Sequence, residues 1–141
     1  MKKGKSLETK LHKWLKELDI YHQRFFDSAS QGLIGSARPA DYWCWFKSKL
    51  IFIECKETHQ KSLPFSNIAT SQWKACKDAK KDNILYLFLI EIQKELYIVQ
   101  GELMINWAKY SNKKSISYDT ITKIGDIMAD KSALRGFLTD I

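Results

Sequence analysis

Between Asp41 and Lys56 the chain carries two strand-like runs joined by two residues, and this leaves little freedom in how they pair. Asp41-Tyr42-Trp43-Cys44-Trp45-Phe46 is aromatic and strand-like, Leu50-Ile51-Phe52-Ile53 is an apolar run, and Lys47-Ser48 reads as a two-residue turn between them. Side chains alternate along a strand with a period of two, so Glu54 and Lys56 leave one face and Cys55 leaves the other. With the turn at Lys47-Ser48, Phe46 meets Lys49, and counting back along both strands sets Asp41 opposite Glu54. Directly opposed residues have Cα atoms about 4.5–5.5 Å apart, and two carboxylates so placed repel. A divalent cation turns that repulsion into a site, with Lys56 beside it to hold a water or a phosphate.

The ordinary reading of an Asp, a Glu and a Lys at such spacing is plainer. Asp41 then caps a turn, and Glu54 and Lys56 form a solvated ion pair. Two details weigh against it: the charges end a strongly apolar strand, and Pro39 stiffens the approach to Asp41. Lys-Ser lacks the Gly or Asn that tight hairpins favour, so a bulge that shifts the register by one remains open.

Around this segment the pattern is α/β. Leu7, Leu11, Trp14, Leu15 and Leu18 recur at helical steps, and Tyr21 to Phe26 reads as a strand. A Ser/Gly-rich interval, Ser28 to Ser36, precedes the hairpin. The stretch Glu57–Asn67, with Pro64, is expected to be an exposed, mobile loop. Ser71 is placed as the cap of a helix reaching about Asp82. Ile84–Ile92 and Leu96–Gln100 form a second strand pair, and short helices near Glu102–Tyr110 and Tyr118–Ala129 end the chain. At 141 residues one domain spanning 1–141 is expected.

Composition excludes several classes. A hydrophobic content of 45% with 13% aromatics opposes disorder. The longest apolar run, Ile84 to Ile92, is too short for a membrane span and is broken by Glu91. Cys44, Cys55 and Cys76 show no CxxC spacing, so buried free thiols are expected, and a cytoplasmic setting. The net charge of +7 gathers in clusters: Lys2, Lys3, Lys5, Lys10, Lys13 and Lys16, then Lys74, Lys77 and Lys81, then Lys113 and Lys114. One lysine stripe is usually a solvated helix face. Several around a carboxylate pair favour a polyanion, because lysines that neutralise phosphates release condensed counterions.

These residues resemble the PD-(D/E)xK nuclease superfamily, and within it the Holliday junction resolvases of the RecU type and, more distantly, the archaeal Hjc type. Gly4 and Glu8 open a helix as the resolvases' first acidic residue does. Pro39-Ala40-Asp41-Tyr42 and Phe52-Ile53-Glu54-Cys55-Lys56-Glu57-Thr58 are similar to their two signature elements. Leu63-Pro64-Phe65, Ser71-Gln72, Gly101-Glu102-Leu103 through Trp107, and Lys113-Lys114-Ser115-Ile116 follow in the same order. The RecU type carries a long stalk between its first two strands. Here Ser28–Ser36 is too short for one and resembles the Hjc arrangement, with its serine-containing loop.

The resemblance implies a restriction-endonuclease-like fold, a central mixed β-sheet flanked by helices with the site at one sheet edge. It implies a Holliday junction resolvase that hydrolyses phosphodiester bonds of four-way DNA as a homodimer, encoded in a bacterium, archaeon or phage. The catalytic set is Glu8, Asp41, Glu54, Lys56 and Gln72. The metal ligands are Asp41, Glu54 and the backbone carbonyl of Cys55, for Mg2+ or, in its place, Mn2+. The DNA contacts are Ser30, Arg38, Lys61, Lys113 and Lys114. Without the resemblance, Glu8 is equally a first-turn acid favoured by the helix dipole, Gln72 is a helix-start residue, and Ser28 and Ser30 are loop residues. Magnesium suits an all-oxygen donor set, and the three His and three Cys residues form no zinc pattern. The five tryptophans read mainly as core, with Trp43 and Trp45 on the strand face of Asp41. Two competing readings remain: another PD-(D/E)xK nuclease of restriction or repair type, and a nucleic-acid-binding module whose carboxylates are structural.

Overall fold

The structure, a computed structural model, describes residues 5–26 and 38–141. Lys2, Lys3, Gly4 and the Ser28–Ser36 interval with Ser30 lie outside the described residues. The leucine stripe forms helix α1 (Lys5–Glu17) and presses Leu7, Leu11 and Leu15 fully into the interior. Each such side chain contributes about 1.5–3 kcal/mol on burial, so α1 is anchored firmly and Glu8, next to Leu7, is carried with it.

Strands β1 (Tyr21–Arg24), β2 (Tyr42–Phe46) and β3 (Lys49–Thr58) follow as an antiparallel meander. The β2–β3 ladder runs from Phe46↔Lys49 to Tyr42↔Ile53, the register drawn from the sequence. Lys47 and Ser48 both adopt positive φ, 50° and 62°, as a two-residue turn of the primed kind needs. No glycine is present to ease it. The buried alternation of Cys44, Ile51 and Ile53 fixes the register instead, because a one-residue slip would turn all three to the opposite face.

β3 pairs in parallel with β5 (Leu85–Ile92), which turns through Gln93-Lys94 into β6 (Glu95–Gln100). The crossover holds β4 (Ser62–Pro64), a 3-10 turn at Phe65–Asn67 and helix α2 (Thr70–Lys81). Beyond β6 come α3 (Gly101–Tyr110), β7 (Ser115–Ser117), α4 (Tyr118–Ile124), β8 (Asp126–Ile127) and α5 (Lys131–Asp140). The main sheet is mixed, in the order β1-β2-β3-β5-β6-β8, and β4 with β7 makes a separate two-stranded sheet. One face packs under α1 and α5 through Leu7, Leu11, Leu15, Leu134 and Leu138. The other packs under α2, α3 and α4 through Cys76, Ala79, Met104 and Ile121. At the joint of that second layer, a Cβ on Gly101 would sit 2.4 Å from Cys76 Sγ and 2.9 Å from the Tyr86 carbonyl oxygen.

Several sequence expectations are corrected. Glu57–Asn67 is not an exposed loop: β3 continues to Thr58, and Leu63 is fully buried opposite Ile116 in the β4–β7 ladder. Pro64 did not prevent this, since a proline is tolerated in a short edge pair. Helix α2 starts two residues earlier than a Ser71 cap requires, with Ala69 as its N-cap. The helix expected over Tyr118–Ala129 ends at Ile124, where Gly125 and the edge strand β8 intervene. Helix α5 was not expected; Asp130 caps it by accepting from Ala133 N, and Leu134 and Leu138 seal the far side of the sheet. The three cysteines are buried and free. Trp45, which the sequence sets apart from the core tryptophans, is half exposed. Among the described residues no helix is long and apolar enough to cross a membrane.

Candidate active site

β3 is twice as long as β2, ten residues against five, so its second half has no β2 partner. Regular pairing stops at Tyr42↔Ile53, and Asp41 lies one residue past the ladder, with its N–H on the Ile53 carbonyl at 3.2 Å. Its side chain then takes over for the missing strand: Asp41 Oδ2 accepts from Cys55 N at 2.8 Å. That bond satisfies a buried strand amide and fixes a carboxylate beside Glu54. Asp41 and Glu54 are 3% and 2% exposed, burial that ionised side chains tolerate only when paired.

Alternation along β3 sends Cys55 into the α1–α5 layer and Glu54 and Lys56 toward α2. Glu54 Oε2 accepts from Gln72 Nε2 at 2.6 Å and lies 3.2 Å from Lys56 Nζ. Lys56 is held from its other side by the Asn67 carbonyl at 2.8 Å. From α1, Glu8 reaches the same end of the sheet, with Arg24 Nη2 3.9 Å from its Oε2. Arg38 Nη2 lies 2.9 Å from Asp41 Oδ1, so this arginine is engaged with the carboxylate. The Tyr86 hydroxyl donates to the Pro39 carbonyl at 2.5 Å and pins the approach to Asp41.

Electrostatically the site is under tension. Burial, reinforced by contact with Asp41, raises the Glu8 carboxyl from its ordinary value to about 7 against the pull of Arg24 and Arg38. Burial and the nearby Asp41 charge likewise raise Glu54 to about 7, opposed by Lys56 and Arg38. Glu8 Oε1 and Glu54 Oε1 are both buried with no hydrogen-bond partner among the described residues. Buried acceptors are rarely left so. Two unpartnered carboxyl oxygens facing one acidic corner are what a bound cation would satisfy. Among the described residues no three His, Cys, Asp or Glu side chains form a ready-made metal cage. Magnesium does not need one, because it keeps waters and substrate phosphate in its shell and takes only one or two carboxylates from protein.

Glu8, Asp41, Glu54, Cys55, Lys56 and Gln72 are therefore brought together. Lys61, Lys113 and Lys114 are exposed and stand on the neighbouring β4–β7 sheet, where the Lys61 carbonyl accepts from Tyr118 N and that of Lys114 from Phe65 N. Ser30 lies outside the described residues. Sequence reasoning missed Arg24 and the Asn67 carbonyl, and it placed Arg38 on DNA without its bond to Asp41. An arginine on an edge strand and a loop carbonyl carry no spacing signal. His59, exposed and 3.8 Å from Glu57, stays at the margin.

The mixed sheet with helices on both faces, and a Pro-x-Asp and Glu-x-Lys pair at the point where one strand ends, define a nuclease of the PD-(D/E)xK class. The family model described as Recombination protein U matches residues 16–135, and the chain belongs to that family, the RecU-type Holliday junction resolvases. The fold is also that of a solved archaeal structure, the Holliday junction resolvase Hjc of the hyperthermophile Archaeoglobus fulgidus. The two share a TM-score of 0.61 and 12% identity over 94% of this chain and 98% of that one. No curated protein matches the chain.

Proposed function

We propose that this protein is a magnesium-dependent endonuclease that resolves four-way DNA junctions as a symmetric homodimer, with Glu8, Asp41, Glu54, Lys56 and Gln72 as its catalytic residues. The observation that carries the reading is the pair of buried, unpartnered carboxylate oxygens, Glu8 Oε1 and Glu54 Oε1, flanking Asp41 in a chain of this family. Asp41, Glu54 and the carbonyl of Cys55 would hold the ion, with Glu8 next to it. Once bound, the ion supplies Lewis acidity toward a phosphate oxygen and lowers the pKa of a bound water.

The remaining work falls to this chain's own groups. Lys56, held between Glu54 and the Asn67 carbonyl, keeps its ammonium at the position where an attacking water or a phosphate oxygen arrives, and stabilises charge that builds in the transition state. Gln72 fixes the rotamer of Glu54 and leaves its second oxygen directed at the site. Lys61, Lys113 and Lys114 supply phosphate contacts that orient DNA without reading its sequence. Two symmetric cuts across a junction call for two equivalent sites, which a C2 dimer provides.

The test is cleavage of labelled synthetic four-way, forked and linear DNA in magnesium, with products mapped on every strand. Paired, symmetric cuts on the four-way substrate support the reading. Equal cutting of linear duplex favours a repair- or restriction-type nuclease, and binding without any cutting favours a non-catalytic module.

A further inference from the structure

The three carboxylates of the site each face a cation of their own. Arg24 lies 3.9 Å from Glu8, Arg38 lies 2.9 Å from Asp41, and Lys56 lies 3.2 Å from Glu54. Among the described residues each of these acids thus has one base within 4 Å. The pairs are not equivalent. Arg24 is distant from Glu8, and Lys56 shares Glu54 with Gln72 while leaving Glu54 Oε1 free. Among the described residues only Asp41 has both oxygens engaged, Oδ2 by the Cys55 amide and Oδ1 by Arg38.

The two partners of Asp41 differ in kind. The Cys55 amide belongs to the buried strand β3 and has nowhere to go. Arg38 has a side chain 29% exposed, and its second hold, on the Phe25 carbonyl, is long at 3.4 Å. A guanidinium grips a carboxylate and a phosphate with the same planar fork. A dication entering beside Asp41 would add positive charge where Arg38 already stands. DNA phosphates are the anions at hand to offset it.

Building on the metal-dependent reading above, we propose that Arg38 is an exchangeable counter-cation. It covers Asp41 Oδ1 while the site lacks metal and moves to a DNA phosphate when a dication takes its place. Arg38 is thus a positioning residue that couples the metal to the substrate. The free protein binds metal weakly, DNA strengthens that binding, and the metal strengthens DNA binding by the same factor, as linkage requires. This role differs from that of a lysine that simply contacts phosphate, because removing Arg38 improves one binding event and impairs the other.

The experiment is titration of the DNA-free protein with Mn2+, followed by calorimetry and by the electron spin resonance signal of the free ion. It compares wild type, Arg38→Gln, Arg38→Lys and Asp41→Asn, each checked for folding by circular dichroism and thermal melting in EDTA. Arg38→Gln is expected to bind Mn2+ about five-fold or more tightly than wild type, the lower end of common site-to-site couplings. Arg38→Lys, which keeps the charge but not the fork, is expected to fall between them and guards against a folding defect in the glutamine variant. Junction cleavage by Arg38→Gln should half-saturate at lower magnesium and reach a lower maximal rate. Equal or weaker Mn2+ binding by Arg38→Gln, with binding by wild type that Asp41→Asn abolishes, overturns the exchange and leaves the metal-dependent nuclease standing. No Mn2+ binding by wild type or by either Arg38 variant overturns both.

Discussion

Gln72 and Glu54 are joined by a 2.6 Å bond from the glutamine amide to Oε2, although they lie on different elements, α2 and β3. The other end of the same amide accepts from Ala69 N at 2.9 Å and so satisfies one of the free donors at the start of α2. A single side chain thereby closes a helix and sets the angle of a buried carboxylate. The two readings of Gln72 open at the sequence level, a helix-start residue and a site residue, are compatible in one rotamer.

Replacing Gln72 by alanine removes both bonds. The expected outcome is a stability loss of about 1 kcal/mol from the uncapped helix, together with a cleavage rate reduced more than ten-fold as Glu54 loses its fixed rotamer. Chemical denaturation and single-turnover cleavage measure the two effects separately. A normal rate in a destabilised variant would leave Gln72 with the helix alone.

Asp41→Asn and Glu54→Gln are expected to abolish cutting while retaining junction binding, or improving it, since each removes negative charge that faces phosphate. Asp41→Asn has a structural cost too, because the amide must still accept from Cys55 N with one oxygen and loses its ion pair with Arg38. Gel-shift titrations in EDTA and cleavage assays in magnesium check this. An Asp41→Asn protein that cuts at the wild-type rate would refute the proposed site.

The raised carboxyls make the metal-free protein sensitive to pH in a defined direction. Glu8 and Glu54 have an ordinary value of 4.5 and sit at about 7 in the fold, so between these limits the folded state binds protons more tightly than the unfolded chain. Stability is therefore favoured below about 4.5 and declines as pH rises through about 7. Asp78 and Glu17, shifted downward by Lys74 and Lys131, act in the opposite sense but below this window. Thermal melts in EDTA should show Tm falling from pH 5 to pH 8, with magnesium restoring it at pH 8 and doing little at pH 5. Glu54→Gln should flatten the slope, and an unchanged slope in that variant would assign the effect elsewhere.

The parts of the molecule legible in sequence are those written into one local pattern. Leu7, Leu11 and Leu15 spell α1, and the Asp41–Lys56 hairpin and its register follow from a short turn and alternation. The pairing that makes a site of these residues was only partly visible. Asp41 sits just outside the ladder and is held by Cys55 N, a contact set by the unequal lengths of β2 and β3. The β4–β7 sheet joins residues more than fifty positions apart, and three-residue strands are too short to show a period. Helix α5 is short, and its Leu134 and Leu138 at helical spacing with the Asp130 cap make a weaker signal than the leucine stripe of α1. Arg24 and Arg38 reach Glu8 and Asp41 only through the folded sheet edge, and no residue spacing announces that.

Lys56→Ala is expected to lower the single-turnover rate far more than junction affinity. In the proposed mechanism its ammonium, 3.2 Å from Glu54 and held by the Asn67 carbonyl, meets charge that develops only during reaction, and an interaction made in the transition state shows in turnover and not in ground-state binding. Loss of affinity with an intact rate would reduce Lys56 to a phosphate contact.

Junction binding as a whole should weaken steeply with salt, because the cationic contribution comes from lysines that displace counterions. Lys61, Lys113 and Lys114 stand exposed on the β4–β7 sheet next to the site, attached to it through the Phe65–Asn67 turn that also holds Lys56. Lys74 and Lys81 are less available, since both lie near Asp78, at 2.7 and 3.9 Å. Replacing Lys113 and Lys114 together with alanine should therefore reduce the slope of log affinity against log salt by about 2, as expected for two lost phosphate contacts. The matched Lys74/Lys81 variant should change it by less than half as much. Preference for four-way over linear DNA should also drop in the first variant if the proposed branch contact is made there. Fluorescence anisotropy across a salt series, on both DNA shapes, separates the two lysine pairs. Equal slopes for both variants would mean that the basic surface acts as a diffuse field, with no oriented contact on the β4–β7 sheet.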